Sequence, residues 1–139
     1  MKKIFLLFLI STGVLLADFT RDDNAQTVFD TTTNLMWQDD DMPTKMKWEE
    51  SKSYCENLEL GGYSDWHLPT KVELDSLIDK TVYDPSIDEA FQYVNSYRYW
   101  TSTPRESKNA AWYVNFSYGH KDGYYITDSN YVRCVRAGE

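Results

Sequence analysis

The chain has 139 residues, with 22 acidic and 14 basic side chains and a formal net charge of −8. That length holds one domain with a real core and not two. The charge argues against nucleic acid or another polyanion as partner, and only a local patch built from Lys121, Arg133 and Arg136 would escape that argument.

In chain order, Lys2 and Lys3 precede an apolar run from Ile4 to Ile10 and a second from Val14 to Leu16. This is the layout of a secretory signal peptide over 1–17, cut after Ala17, with Leu15 at the −3 position larger than the small residue usual there. The apolar stretch is shorter than the roughly 20 residues a spanning helix needs, so no membrane span is expected after cleavage. No Cys follows to carry a lipid. The expected location is the periplasm, the medium or the cell surface, with residues 18–139 as a single domain. Losing Lys2 and Lys3 takes the charge to −8 − 2 = −10.

Thr27 to Gln38 reads as a hairpin, because Asp30 and Asn34 favour a turn by bonding their own backbone. Asp39-Asp40-Asp41 lacks the spaced D-x-D-x-D-G pattern of a calcium loop and reads as a solvated turn. No metal and no other cofactor is expected, calcium having no supporting motif. From Lys47 to Leu60, Trp48, Ser51, Cys55 and Leu58 recur at helical spacing, and Gly61 is expected to cap that helix. Trp66 and Leu68 point one way, as in a short strand, and Asp65 is expected to fix the preceding turn by accepting backbone N–H groups. Thr70 and Glu73 form a T-x-x-E capping box. The helix it starts is expected to run to Asp79 or Lys80, with Leu74, Leu77 and Ile78 on its apolar face.

Thr81 to Tyr97 reads as a long ordered loop anchored by Ile87 and Phe91. Strands are expected over Arg98–Thr103, Ala111–Tyr118, Gly123–Thr127 and Tyr131–Val135, with Gly119 to Gly123 as a hairpin connection. Aromatic residues crowd this half, and successive side chains on a strand face opposite ways. One of the neighbours Tyr124 and Tyr125 must therefore face solvent or a groove. Exposed rings beside Asp, Asn and His suit stacking on sugar faces and equally a protein partner.

Two cysteines in an exported chain, Cys55 and Cys134, point to one disulfide. Two buried free thiols are the alternative, while a catalytic or metal-binding pair lacks the C-x-x-C spacing. His67 and His120 fall in different elements, and the chain offers no nucleophile elbow. Acidic residues are abundant, but abundance alone does not make a glycosidase pair.

Asp65-Trp66-His67-Leu68-Pro69-Thr70 with Glu73-Leu74 resembles the D-W-R-L-P-T-x-x-E-L motif of the Lcl C-terminal domain family. The resemblance extends over Phe29-Asp30, Leu35 to Gln38, Trp48 with Tyr54-Cys55, Tyr99 to Thr103, Ala111 to Phe116 and Val132 to Arg136. It departs from the family at His67, where Arg is usual. The family resembles the C-type-lectin-like fold, which also contains the formylglycine-generating enzymes. The resemblance implies an α+β domain with two helices, a twisted antiparallel sheet and a disulfide joining the first helix to the last strand. With both cysteines in that bridge no thiol is left for oxidase chemistry, so a non-catalytic binding or adhesion module for an unidentified glycan or envelope protein is expected. Lectin-like folds bind through loops over the late strands, which nominates Tyr118, His120, Asp122, Tyr124 and Asp128. The alternatives are an accessory subunit of an envelope complex and an enzyme of the formylglycine-generating type, whose chemistry needs reactive cysteines.

Overall fold

A computed structural model describes residues 18–41, 45–107 and 109–138; the expected signal peptide lies outside them. The chain forms an α+β domain. Strands β1 (Phe19–Asp22), β2 (Thr27–Asp30) and β3 (Leu35–Gln38) run as an antiparallel meander, and β9 (Val135–Ala137) adds to β3, closing the order β1-β2-β3-β9. The expected β2–β3 hairpin is present. Asp30 takes Thr32 N–H at 2.9 Å and the Thr33 hydroxyl at 2.8 Å, and Asn34 adopts φ 58°. That register sets Val28 opposite Trp37 and Trp37 opposite Val135, all fully buried.

A second sheet is built from β5 (Arg98–Pro104), β6 (Ala110–Asn115) and β7 (His120–Tyr125), and β4 (Met46–Lys47) pairs with β8 (Ser129–Asn130). The single expected sheet is therefore two antiparallel sheets and a short ribbon. Alternation along β5 explains how they share the interior. Tyr99 faces one core with Val28, Trp37, Leu74 and Phe116, while Trp100 faces a second with Cys55, Trp66, Leu68 and Cys134.

Both helices are shorter than the apolar pattern suggested. Helix α1 (Trp48–Glu56) stops because the Asn57 side chain takes the Ser53 carbonyl at 2.8 Å. Gly61 and Gly62, at φ 64° and 84°, do not cap it. They make the turn that pairs Leu60 with Tyr63, where an L side chain on either residue would be strained. Helix α2 (Lys71–Asp75) opens on the predicted box, with Glu73 N–H bonded to the Thr70 hydroxyl and Thr70 N–H to the Glu73 carboxylate. Beyond Asp75 the chain tightens: Leu77 N–H bonds Leu74 O and Ile78 N–H bonds Asp75 O, each at 3.1 Å. Such i→i−3 turns keep Leu77 pointing inward without a regular helix.

Three further readings change. Trp66 to Leu68 is not a strand; His67 alone bridges to Val135. The β6–β7 connection lies over 116–119, where the carboxamide of Asn115 at the end of β6 takes both the N–H and the hydroxyl of Ser117. Strand β7 accordingly begins at His120. Tyr131 pairs through an isolated bridge to Tyr99 rather than in a strand, and the last strand starts at Val135.

Cys55 in α1 and Cys134, one residue before β9, are joined. Neither is free and both are fully buried. A crosslink spanning 79 positions stabilises by about 4.5 kcal/mol in the chain-entropy account. Among the described residues no helix is long and apolar enough to cross a membrane.

Candidate functional site

Register decides which side chains share a face. Arg98 lies opposite Asn115, which lies opposite His120; Trp100, Tyr113 and Asp122 form the next row, and Ala111 pairs with Tyr124. Arg98, Tyr113, His120, Asp122 and Tyr124 therefore belong to the same side of the β5–β6–β7 sheet as the buried Trp100 and Ala111, and lie at the margin of the second core. The Arg98 guanidinium lies 3.8 Å from the Tyr124 ring centroid, 4.6 Å from Tyr97 and 5.6 Å from Tyr113. Its Nη2 donates to the Tyr97 hydroxyl at 3.0 Å, while its buried Nε has no hydrogen-bond partner. Tyr113 meets His120 and Tyr124 edge-on, at 6.3 and 6.1 Å. The row continues past Tyr97 through Lys45, which is 5.2 Å from the Tyr97 ring and 5.3 Å from that of Tyr131. Burial, followed by the negative charge of Asp122, pushes the Tyr113 phenol above its usual range.

Asp122 accepts a bond from Arg105 at 2.8 Å. Arg105 reaches it by lying against β7 at Gly123, where an added Cβ would meet Arg105 Cδ at 1.9 Å. The same guanidinium is 4.8 Å from the Trp112 ring, and Lys71 Nζ is 3.4 Å from it. The β6–β7 hairpin thus carries cation–ring contacts on both faces, each worth about 0.5–1 kcal/mol where exposed.

The nominated residues divide. His120, Asp122 and Tyr124 alternate along β7 and come together. Tyr118 stands in the β6–β7 turn, 76% exposed. Beside it, Ser117 O accepts the N–H of Asp84, so Tyr118 belongs with the loop before β5. Asp128 is exposed in the turn after β7, its N–H bonded to Tyr125 O. Sequence reasoning missed Arg98, because nothing local marks an arginine as stacked. The alternation of Tyr97 and Tyr99 around it, read against the Tyr113 and Tyr124 strands, was the available signal.

The remaining arginines answer carboxylates. Asp39 is buried, contrary to the solvated turn expected. Arg21 and Arg133 bond its oxygens, as do the N–H groups of Gln92 and Tyr93 at 2.8 and 3.1 Å. Asp65 answers Arg136, 71 residues away, through bonds of 2.6 and 3.1 Å rather than only the local backbone. That bond holds the Asp65 carboxyl below its usual range, and the Tyr63 ring covers the guanidinium at 3.6 Å. Arg133, Arg136 and Lys121 each pair with a different carboxylate, so they form no basic patch. His67 Nε2 lies 3.1 Å from Glu73 Oε1. Burial pushes the Glu73 carboxyl up, but the bonds from His67 and Thr70 outweigh it and hold it below the usual range.

The Lcl C-terminal domain family model matches residues 26–136. The chain belongs to the Lcl C-terminal domain family. No curated protein matches it. In this Lcl C-terminal domain the residues that carry the family resemblance are largely spent on the framework. Trp37, Trp66, Leu68 and Trp100 are core, Thr70 and Glu73 cap α2, and Arg133 and Arg136 flank the bridged Cys134. Among the described residues, no three His, Cys, Asp or Glu side chains converge to hold a metal.

Proposed function

We propose that this protein is an exported, non-catalytic binding module of C-type-lectin-like architecture whose ligand, a glycan or an envelope protein, meets the exposed margin of β5–β6–β7 around Arg98, His120 and Tyr124. The observation that carries the reading is the row of Tyr97, Arg98, Tyr124 and His120. It offers rings and polar edges at the surface beside the second core, against which Tyr124 packs on its inner side. Aromatic faces stack on sugar rings or anchor a protein, and a neighbouring cation or carboxylate orients hydroxyls. The link from α1 to the residue before β9, with first and last strands in one sheet, supports the lectin-like comparison. Both cysteines are bridged, which leaves no thiol for the chemistry of formylglycine-generating enzymes.

The test is a glycan array and an envelope pull-down with the mature chain, with and without calcium, repeated with Tyr124→Ala and His120→Ala. The reading expects a ligand whose binding falls at least about tenfold in either variant, the cost of losing one anchor. A ligand bound equally by both variants would move the site elsewhere. No glycan, together with one co-purified protein, would favour an accessory subunit.

A further inference from the structure

Between α2 and β5, residues 76–97 contain neither helix nor strand. So long a loop is uncommon in a small domain and usually functional. This one is held in shape: Asp79 N–H bonds Ser86 O, Asp84 N–H bonds Ser117 O, Ser86 N–H bonds Phe116 O, and Ile87 and Phe91 are buried. The Asp84–Ser117 bond sets two exposed rings, Tyr83 (74%) and Tyr118 (76%), one residue beyond either end of the same seam. Val82 beside them is exposed as well. The loop encloses a groove of about 350 Å³ floored by Val82, Pro85, Ile87 and Phe91, with Asp79, Asp88 and Glu89 at its rim.

Charge decides the occupant. Residues 79–89 carry Asp79, Asp84, Asp88 and Glu89 against Lys80 alone, and among the described residues none of these four acids stands in an ion pair. The rim does not converge on a metal ion. A second copy of a chain of net charge −8 would bring like charge, and so would an anionic membrane surface. An aliphatic stem ending in a cation matches both parts of the surface: the stem lies along the apolar floor and the head reaches the carboxylates. We propose that this groove, with Tyr83 and Tyr118, docks a partner-protein segment presenting lysine or arginine beside apolar side chains. A preformed loop supplies such a surface without the ordering cost of a flexible one. The inference stands apart from the β5–β6–β7 reading and shares no residue with the row of Tyr97, Arg98, Tyr124 and His120.

The experiment is an amide-resolved NMR titration of the disulfide-linked chain with a capped lysine–leucine peptide, alongside its glutamate–leucine counterpart. The expected result is shifts confined to residues 79–91 and 118 with the first peptide and none with the second. Affinity should fall about tenfold in Asp88→Asn/Glu89→Gln and again in Tyr83→Ala, surface changes that leave the core intact. Equal response to both peptides, shifts confined to 120–125, or concentration-dependent shifts without peptide, which would assign the surface to a second copy, would each overturn it.

Discussion

Charged side chains play opposite parts in two regions of this domain. Around β3, β9 and the Asp65 turn, arginines are buried against carboxylates: Arg133 with Asp39, and Arg136 with Asp65 under the Tyr63 ring. On the β5–β6–β7 sheet, Arg98 lies among tyrosine rings on one side and Lys71 and Arg105 against Trp112 on the other, with carboxylates at the margin. The first arrangement fixes the chain's long-range pairing; the second holds rings in place at the surface. The contrast teaches that an arginine's type says little, and that the partner the fold brings to it decides whether it serves stability or recognition.

The sharpest way to break the comparison is Asp39→Ala. It would remove from a buried site the carboxylate that two guanidinium groups and two N–H groups share, leaving the guanidinium charges with carbonyl partners or the exposed Asp23. Removing one member of a buried pair costs about 3–5 kcal/mol, so urea melts should show a collapse of stability, and a loss under about 1 kcal/mol would place Asp39 outside the framework. Next in size is Cys55→Ser/Cys134→Ser, expected to cost about 2–4 kcal/mol. Digestion of the native chain without reductant should release the two cysteine peptides as one linked species.

Arg98→Ala should cost only about 1–2 kcal/mol, the value of a partly desolvated cation–ring contact, while removing ligand binding. A large stability loss there would make the stacked face part of the framework and dissolve the distinction. Titration offers a milder separation. The folded Glu73 and Asp65 carboxyls lie below their ordinary values of 4.5 and 3.8. Their contribution is therefore full above those values and lost as pH falls through the folded ones. The Tyr113 phenol is raised above 10.0, so the unfolded chain ionises first and stability falls as pH climbs past about 10. Glu73→Gln should flatten the acid limb of a stability profile and Tyr113→Phe the alkaline limb.

What the sequence revealed follows the same division by distance along the chain. The Asp30–Asn34 turn and the Thr70–Glu73 box are local devices, complete within five residues, and both are where the pattern put them. The Asp39 site needs Arg133, 94 positions away, and three aspartates in a row look solvated until that partner arrives. The α2 boundary was overrun because Leu77 and Ile78 keep a helical period through tight turns. Of the nominated site, the β7 alternation placed His120, Asp122 and Tyr124 together, but Tyr118 left them because its turn is bonded to a loop more than 30 residues earlier.

The smallest expected effect tests where the framework ends. His67 stands where the family motif has Arg, and its backbone is fixed on both sides, its N–H and C=O each bonded to Val135 at 2.9 Å. The side chain is exposed and meets only one oxygen pair, that of Glu73, which the Thr70 N–H also engages. His67→Arg would place a guanidinium within reach of the same carboxylate without touching the bridge, and His67→Ala would leave the capping box standing. Both should fall within about 0.5 kcal/mol of the parent at neutral pH, as surface changes away from buried partners do. A loss beyond about 1.5 kcal/mol in His67→Ala, recovered in His67→Arg, would mean that the side-chain contact with Glu73 at this position locks α2 against β9. The framework would then extend further toward the surface than the buried Arg133 and Arg136 side chains mark it.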